Sequence, residues 1–184
     1  MLSTLIVLGV LAALIFFVIA IYNGLVAKRA LTEEGWSGIE TQLKRRSNLI
    51  PNLVETVKGF AAHESGTLEA VTEARSNSLG ANNVADRAKA EQAVTSAIGN
   101  ILAVAEAYPD LKANQNFQQL QTELTDIENE IQLSRRYYNG TVRDYNIMVE
   151  TFPNNLIAGQ FKFEKADFFE IEDDADRAVP KVEF

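Results

Sequence analysis

No charged residue occurs between Leu2 and Ala27. A run this apolar and this long, LSTLIVLGVLAALIFFVIAIYNGLVA, crosses about 30 Å of hydrocarbon as one helix. In a water-soluble fold it would be buried on all sides, which needs a far larger protein than 184 residues. A cleaved secretory leader fits less well, because no cationic segment precedes the run and its apolar stretch is too long. The expectation is a transmembrane anchor over residues 1–27. The flanking charges predict its orientation: no Lys or Arg precedes the span, whereas Lys28 and Arg29 follow it at once. Positive residues stay on the cytoplasmic side. The N-terminus is therefore expected outside and the remaining chain in the cytoplasm, with Tyr22 near the inner membrane face.

The rest reads as one all-α domain, expected over residues 28–160, with an aromatic and then acidic tail over 161–184. Trp36, Leu43, Ile50 and Val57 recur every seven residues, and Ile39, Leu53 and Phe60 form a second row that Arg46 interrupts. That pattern is one apolar stripe on a long helix. Nothing between Ala27 and Trp36 stops a helix, so the anchor is expected to continue into the domain, with a kink or local break at Pro51. A turn is expected over 76–83. A second stripe follows through Ala90, Val94, Ala97, Ile98, Ile101, Ala105 and Tyr108, ended by Pro109. The third stripe, Phe117, Leu124, Ile131, Tyr138, Tyr145 and Phe152, predicts a helix over about 112–150 that stops at Phe152-Pro153. A short helix is expected over 154–159. Long helices joined by short turns become antiparallel neighbours, so the fold class is an up-and-down bundle of the four-helix type on a membrane helix. Tyr108, Phe117, Phe152, Phe161, Phe163, Phe168 and Phe169 are expected to close one end of it.

Composition removes several kinds of chemistry. The chain has no cysteine and one histidine, His63, and a net charge of −8. Thiol catalysis and multi-histidine metal centres are excluded. The acidic balance argues against a nucleic-acid partner. Di-iron sites in bundles need Glu-x-x-His from two helices, so Glu123, Asp126, Glu128 and Glu130 read as a solvated face. The acidic run Glu170–Asp176 lacks calcium-loop spacing and reads as a solvated tail. No catalytic residue, cofactor or metal is expected. The candidates for interaction are Lys44, Arg45, Arg46, Arg135 and Arg136, which could meet anionic lipid or an acidic partner. The plainer reading of these cations is pairing between helices with Glu40, Glu123, Glu128 or Glu130, and for Arg46 a partly buried ion pair is the preferred one. Tyr138-Asn139 and Tyr145-Asn146 repeat at seven residues and form either a contact patch or core tyrosines.

Several segments carry a resemblance. They are WSGIETQLKRRSNLIPNLVETVKGFAAHE from Trp36, Glu73-Ala74-Arg75, AYPDLKANQNFQQLQTEL from Ala107, IENEIQLSRRYYNGTVRDYN from Ile127, FPNNLIAG from Phe152, and the terminal PKVEF. Together they resemble the LemA family of bacterial membrane proteins over nearly the whole chain. The resemblance implies a single-span anchor on a four-helix bundle, no known enzymatic activity and no cofactor. The family is also similar to a magnetosome membrane protein, which implies a task in membrane or envelope organisation at the bacterial cytoplasmic membrane. The expected function is a non-catalytic, self-assembling scaffold. The alternative is an adaptor that docks a membrane protease or signalling protein.

Overall fold

The apolar N-terminal run does become helix, and that helix does not stop where the run ends. In the computed structural model, which describes residues 1–170, α1 spans Leu2–Lys58 without interruption. It is followed by α2 (Ser65–Gly80), α3 (Val84–Glu106), α4 (Pro109–Lys112), α5 (Gln115–Glu150) and α6 (Asn154–Gln160). No strand occurs among the described residues. The chain divides into two units: residues 1–40 with 133–168, and residues 41–132 with Phe169 and Glu170.

The second unit is a helical bundle with one core. Ile50, Leu53 and Val57 of α1 meet Leu68 and Val71 of α2, Val94, Ile98 and Ile101 of α3, Leu111 of α4 and Phe117 and Leu124 of α5. All but Leu68, Val71 and Leu111 are residues of the expected stripes, and burying each one contributes about 1.5–3 kcal/mol of hydrophobic stabilisation. The connection between α2 and α3 is only residues 81–83, so the two helices run antiparallel. Asn83 starts α3 by accepting a bond from the Asp86 amide at 2.8 Å, which satisfies one of the free N–H groups of the first turn. Asn114 does the same for Phe117 at 3.1 Å. Tyr108 leaves the helical region before Pro109, and Pro109 sits in the first turn of α4, where its missing N–H costs nothing.

Helix α1 ends at Lys58, and residues 59–64, where Phe60 is exposed, lead into α2. Of the kink or local break expected at Pro51, the break does not occur. The reason lies in α2. A proline at 51 removes the hydrogen bond that the Ser47 carbonyl would accept within the helix. Arg75 restores it: its Nε donates to the Ser47 carbonyl at 2.8 Å and approaches Ser47 Oγ at 3.1 Å. Ser47 is buried, so without Arg75 its carbonyl would be stranded. Arg75→Leu is expected to destabilise the protein by about 1–3 kcal/mol. In a Pro51→Ala background, where the backbone at position 51 regains an N–H for the Ser47 carbonyl, the same change costs less. A double-mutant cycle by urea unfolding checks this; strict additivity would remove the account.

The first unit holds residues 2–40 of α1, residues 133–150 of α5, α6 and the segment that follows it. Here α1 and α5 run antiparallel: Gly24 lies beside Met148, Lys28 pairs with Asp144 at 3.1 Å, and Trp36 meets the Tyr138 ring at 5.5 Å. Gly35 makes close approach possible, since a Cβ there would stand 3.2 Å from the Tyr138 Cα. Ile21 and Leu25 are buried with Tyr145, Ala158 and Phe163. Packing therefore begins at Ile21, inside the charge-free run. Leu2–Ala20 has no such cover: Leu5, Ile6, Leu8, Leu14, Ile15 and Phe16 are more than half exposed. Residues 2–20 extend about 29 Å at 1.5 Å per residue, the thickness of a bilayer's hydrocarbon.

Of the aromatic residues expected to close one end, Tyr108, Phe117 and Phe169 belong to the second unit, while Phe152, Phe161, Phe163 and Phe168 belong to the first. Of the acidic run, only Glu170 lies among the described residues.

Candidate functional site

Arg46 interrupts an apolar row, and the structure gives it partners from other helices. Its side chain is 3 % exposed. One terminal nitrogen donates to Glu91 Oε2 at 2.5 Å and to the Glu91 carbonyl at 3.2 Å. The other donates to Glu128 Oε2 at 2.5 Å and to Thr95 Oγ1 at 2.8 Å. Glu91 is itself buried. It accepts a bond from the Ser78 hydroxyl, and Arg87 Nε lies 3.2 Å from its Oε1. Arg87 also donates to the Ser78 carbonyl at 2.6 Å. Two guanidinium groups and two carboxylates thus balance inside the second unit, tying α1, α2, α3 and α5. A buried pair of this kind contributes little net stability but strongly disfavours any register in which one charge is left alone.

Sequence reasoning found Arg46 and named Glu128 among its possible partners; it missed Glu91, Ser78 and Thr95. A signal for Glu91 was present. It lies seven residues before Ile98 and three before Val94, on the buried face of α3. A lone acid on an apolar face is the counterpart of a lone arginine on another.

The other cationic candidates differ. Lys44 and Arg45 are exposed, and Arg45 donates to Gln42 at 2.9 Å rather than to an acid. Arg45 borders a shallow groove with Asn48, Glu123 and Asp126. Arg136 is exposed and Arg135 half-buried. Close to them in sequence, Leu133 and Tyr137 are 50 % and 51 % exposed. With Glu34, Gly35, Gly38 and Ser134 they line a groove of about 420 Å³ on the first unit. This apolar opening escaped the sequence reading because Leu133 and Tyr137 lie off the seven-residue stripe.

The tyrosine–asparagine pairs face the chain's own C-terminal segment. Tyr138 and Tyr145 are both 3 % exposed. The Tyr138 hydroxyl donates to the Asp167 carbonyl at 2.8 Å. Asn146 donates to the Ala166 carbonyl and accepts from the Ala166 amide, each at 2.9 Å. Asn139 is half-buried. Lys165 meets Glu150 at 2.7 Å. Residues 163–167 are therefore fastened to α5 of the same chain.

Burial pushes the Tyr138 phenol up to about 12, and the Asp167 carboxylate adds to the rise. Burial also raises the Tyr145 phenol. The folded state thus favours the neutral phenol. Its contribution is complete below the ordinary value of 10.0 and disappears as pH climbs through about 12. In an alkaline titration followed by tyrosinate absorbance, Tyr138 is expected among the last phenols to ionise. Tyr138→Phe removes that late step and weakens the fold by about 1 kcal/mol. A Tyr138 that titrates with the exposed tyrosines would contradict its placement.

His63 is exposed in the bend between α1 and α2, and no group of three metal-capable side chains occurs among the described residues.

Comparison with known proteins agrees with this architecture. The LemA family model matches residues 35–184. The chain is 25 % identical over 194 residues to magnetosome protein MamQ 2 of Paramagnetospirillum magneticum, covering 90 % of this chain and 71 % of that one. It is 23 % identical to magnetosome protein MamQ of Magnetospirillum gryphiswaldense, covering 86 % and 68 %. It is 26 % identical over 150 residues to protein LemA of Metamycoplasma hominis, covering 81 % and 66 %. The segments that carry the resemblance are also those that hold the fold: RRSNLIP brings Arg46, Ser47 and Pro51, and Glu73-Ala74-Arg75 brings the side chain that makes Pro51 tolerable. The chain belongs to the LemA family.

Proposed function

We propose that this protein is a non-catalytic scaffold of the cytoplasmic membrane that self-associates and organises the bilayer around it. The observation that carries this reading is the uncovered apolar surface of α1 from Leu2 to Ala20, ending at Ile21 where the folded unit begins. Lys28 and Arg29 favour a cytoplasmic position for the units, with the N-terminus outside. Within the uncovered stretch, Gly9 and Ala13 stand four residues apart, and nothing lies within 4 Å of where a Cβ on Gly9 would be. Small residues at this spacing let two membrane helices approach closely. The polar groups most able to do chemistry, Arg46, Glu91, Tyr138 and Asn146, are occupied in holding the fold. Two relatives are named magnetosome proteins, which supports a task in shaping or furnishing a membrane.

The chain has no cysteine, so single-cysteine variants report contact without background. Gly9→Cys is expected to form a disulfide-linked dimer under mild oxidation in native membranes, and Leu11→Cys, on the opposite helix face, far less. Equal absence of dimer at both positions would reject self-association through the anchor. The adaptor reading rests on the Leu133–Tyr137 groove beside exposed Arg136. It would gain if a stoichiometric protein partner co-purified in mild detergent and was lost on Arg135→Glu with Arg136→Glu.

A further inference from the structure

A segment far from the anchor in sequence lies beside the anchor's end. Tyr22 is two residues past Ala20, and its ring meets the Phe161 ring edge-on at 4.9 Å and the Phe163 ring at 5.6 Å. Ile157 and Ala158 of α6 pack against Ile21 and Leu25. This holds α6 against the first turns of α1 that are covered by protein. Apolar side chains in and beside α6 are uncovered: Phe152 is 74 % exposed, Leu156 62 % and Phe161 52 %. Three large apolar groups in ten residues, left in water, would be a costly surface. Two cationic groups accompany them. Lys162 is exposed next to Phe161, and the Arg29 guanidinium sits 5.2 Å over the Phe163 ring.

We propose that α6 with Phe152 and Phe161 forms a second membrane contact, a foot that lies in the interfacial layer of the same bilayer that α1 crosses. The inference rests on the reading of Leu2–Ala20 as the membrane span. If that stretch fills the hydrocarbon, Tyr22 stands at its edge, and Phe161, in ring contact with Tyr22, stands at the same depth. Apolar and aromatic side chains flanked by Lys and Arg suit that layer, where rings reach the acyl boundary and cations meet anionic headgroups. Continuity with the anchor selects lipid as the occupant over a protein. The foot also gives the short α6 a purpose: one face docks on α1, and the other meets the bilayer. A chain held at two points is fixed in tilt and rotation, whereas a single span leaves both to its neighbours.

The test uses the full chain in nanodiscs of phosphatidylcholine with phosphatidylglycerol. Leu156→Cys and Gln160→Cys each receive an environment-sensitive nitrobenzoxadiazole label. Gln160→Cys places the label beside Phe161 without removing an apolar group. Leu11→Cys reports the span, and Gln119→Cys reports an exposed position of the second unit. Nitroxide lipids labelled near the headgroup should quench the labels at 156 and 160 several-fold more than the label at 119, and their emission should be blue-shifted. Labels at 156 and 160 as open to water as at 119, with Leu11 in lipid, would overturn the foot and leave the anchor standing. A label at Leu11 that is also open to water would overturn both.

Discussion

Arg46→Met will cost about 3–5 kcal/mol of unfolding free energy, because it takes from the buried Glu91 carboxylate the cation at its Oε2 and leaves only Arg87, at Oε1. Arg46 donates to both the side chain and the carbonyl of Glu91, and Thr95 and Glu128 share the same guanidinium. Arg87 does not replace it: it stands at Glu91 Oε1 and donates to the Ser78 carbonyl, while Arg46 holds Oε2. Removing the acids together with both arginines should recover most of the loss. Arg46→Met and Arg87→Leu combined with Glu91→Leu and Glu128→Gln leave no buried unpaired charge in the network, and replacement of such networks by apolar groups is often neutral. The changes are therefore strongly non-additive. Glu128→Gln alone should cost the least, because its side chain is 33 % exposed. Urea unfolding of the detergent-solubilised protein measures each value. An Arg46→Met variant within about 0.5 kcal/mol of the parent, the usual range for a surface change, would remove the network from the account.

Two truncations will part sharply although their ends lie seven residues apart. Deleting residues 2–20 removes thirteen Leu, Ile, Val and Phe side chains. On an insertion scale these contribute about 4–8 kcal/mol toward the bilayer. The product should leave the strongly membrane-retained fraction and keep its melting behaviour, since those residues are exposed apart from the partly covered Val18. Deleting residues 2–27 also removes Ile21 and Leu25, which are 8 % and 0 % exposed against Tyr145, Ala158 and Phe163. Loss of two buried aliphatic side chains costs several kcal/mol, at about 2–5 kcal/mol for each. The first unit should then melt earlier, with residues 163–167 released from α5. Identical melting of the two fragments would move the folded boundary back to Lys28.

That boundary shows where the sequence was legible and where it was not. Charge-free length announces a membrane span, but it cannot separate a face that meets lipid from one that meets protein. Ile21 and Leu25 look like more anchor until Tyr145 and Phe163 are seen beside them. The stripes through Leu43, Ile50, Leu124 and Ile131 were readable because periodicity reports burial directly. Pro51 misled because its penalty is local, whereas its remedy, Arg75, comes from another helix 24 residues on. Tyr138 and Asn146 were ambiguous for a related reason. Their spacing fixes a common face of α5, and only the fold shows that the face is filled by Asp167 and Ala166 of the same chain. The Arg46 ion pair was readable because a charge within an apolar row needs a partner. Its full extent was not, because Ser78 and Thr95 carry no pattern of their own. The exposure of Leu133, Leu156 and Phe161 was missed because surface apolar residues have no period at all.

The most direct test of the scaffold account is the mass of the full-length protein in lipid nanodiscs, beside the form lacking residues 2–20. The account predicts a defined multimer for the full-length chain and a monomer for the truncated one. A full-length protein that stays monomeric at nanodisc loadings permitting association would contradict self-assembly and leave a membrane-held adaptor in its place.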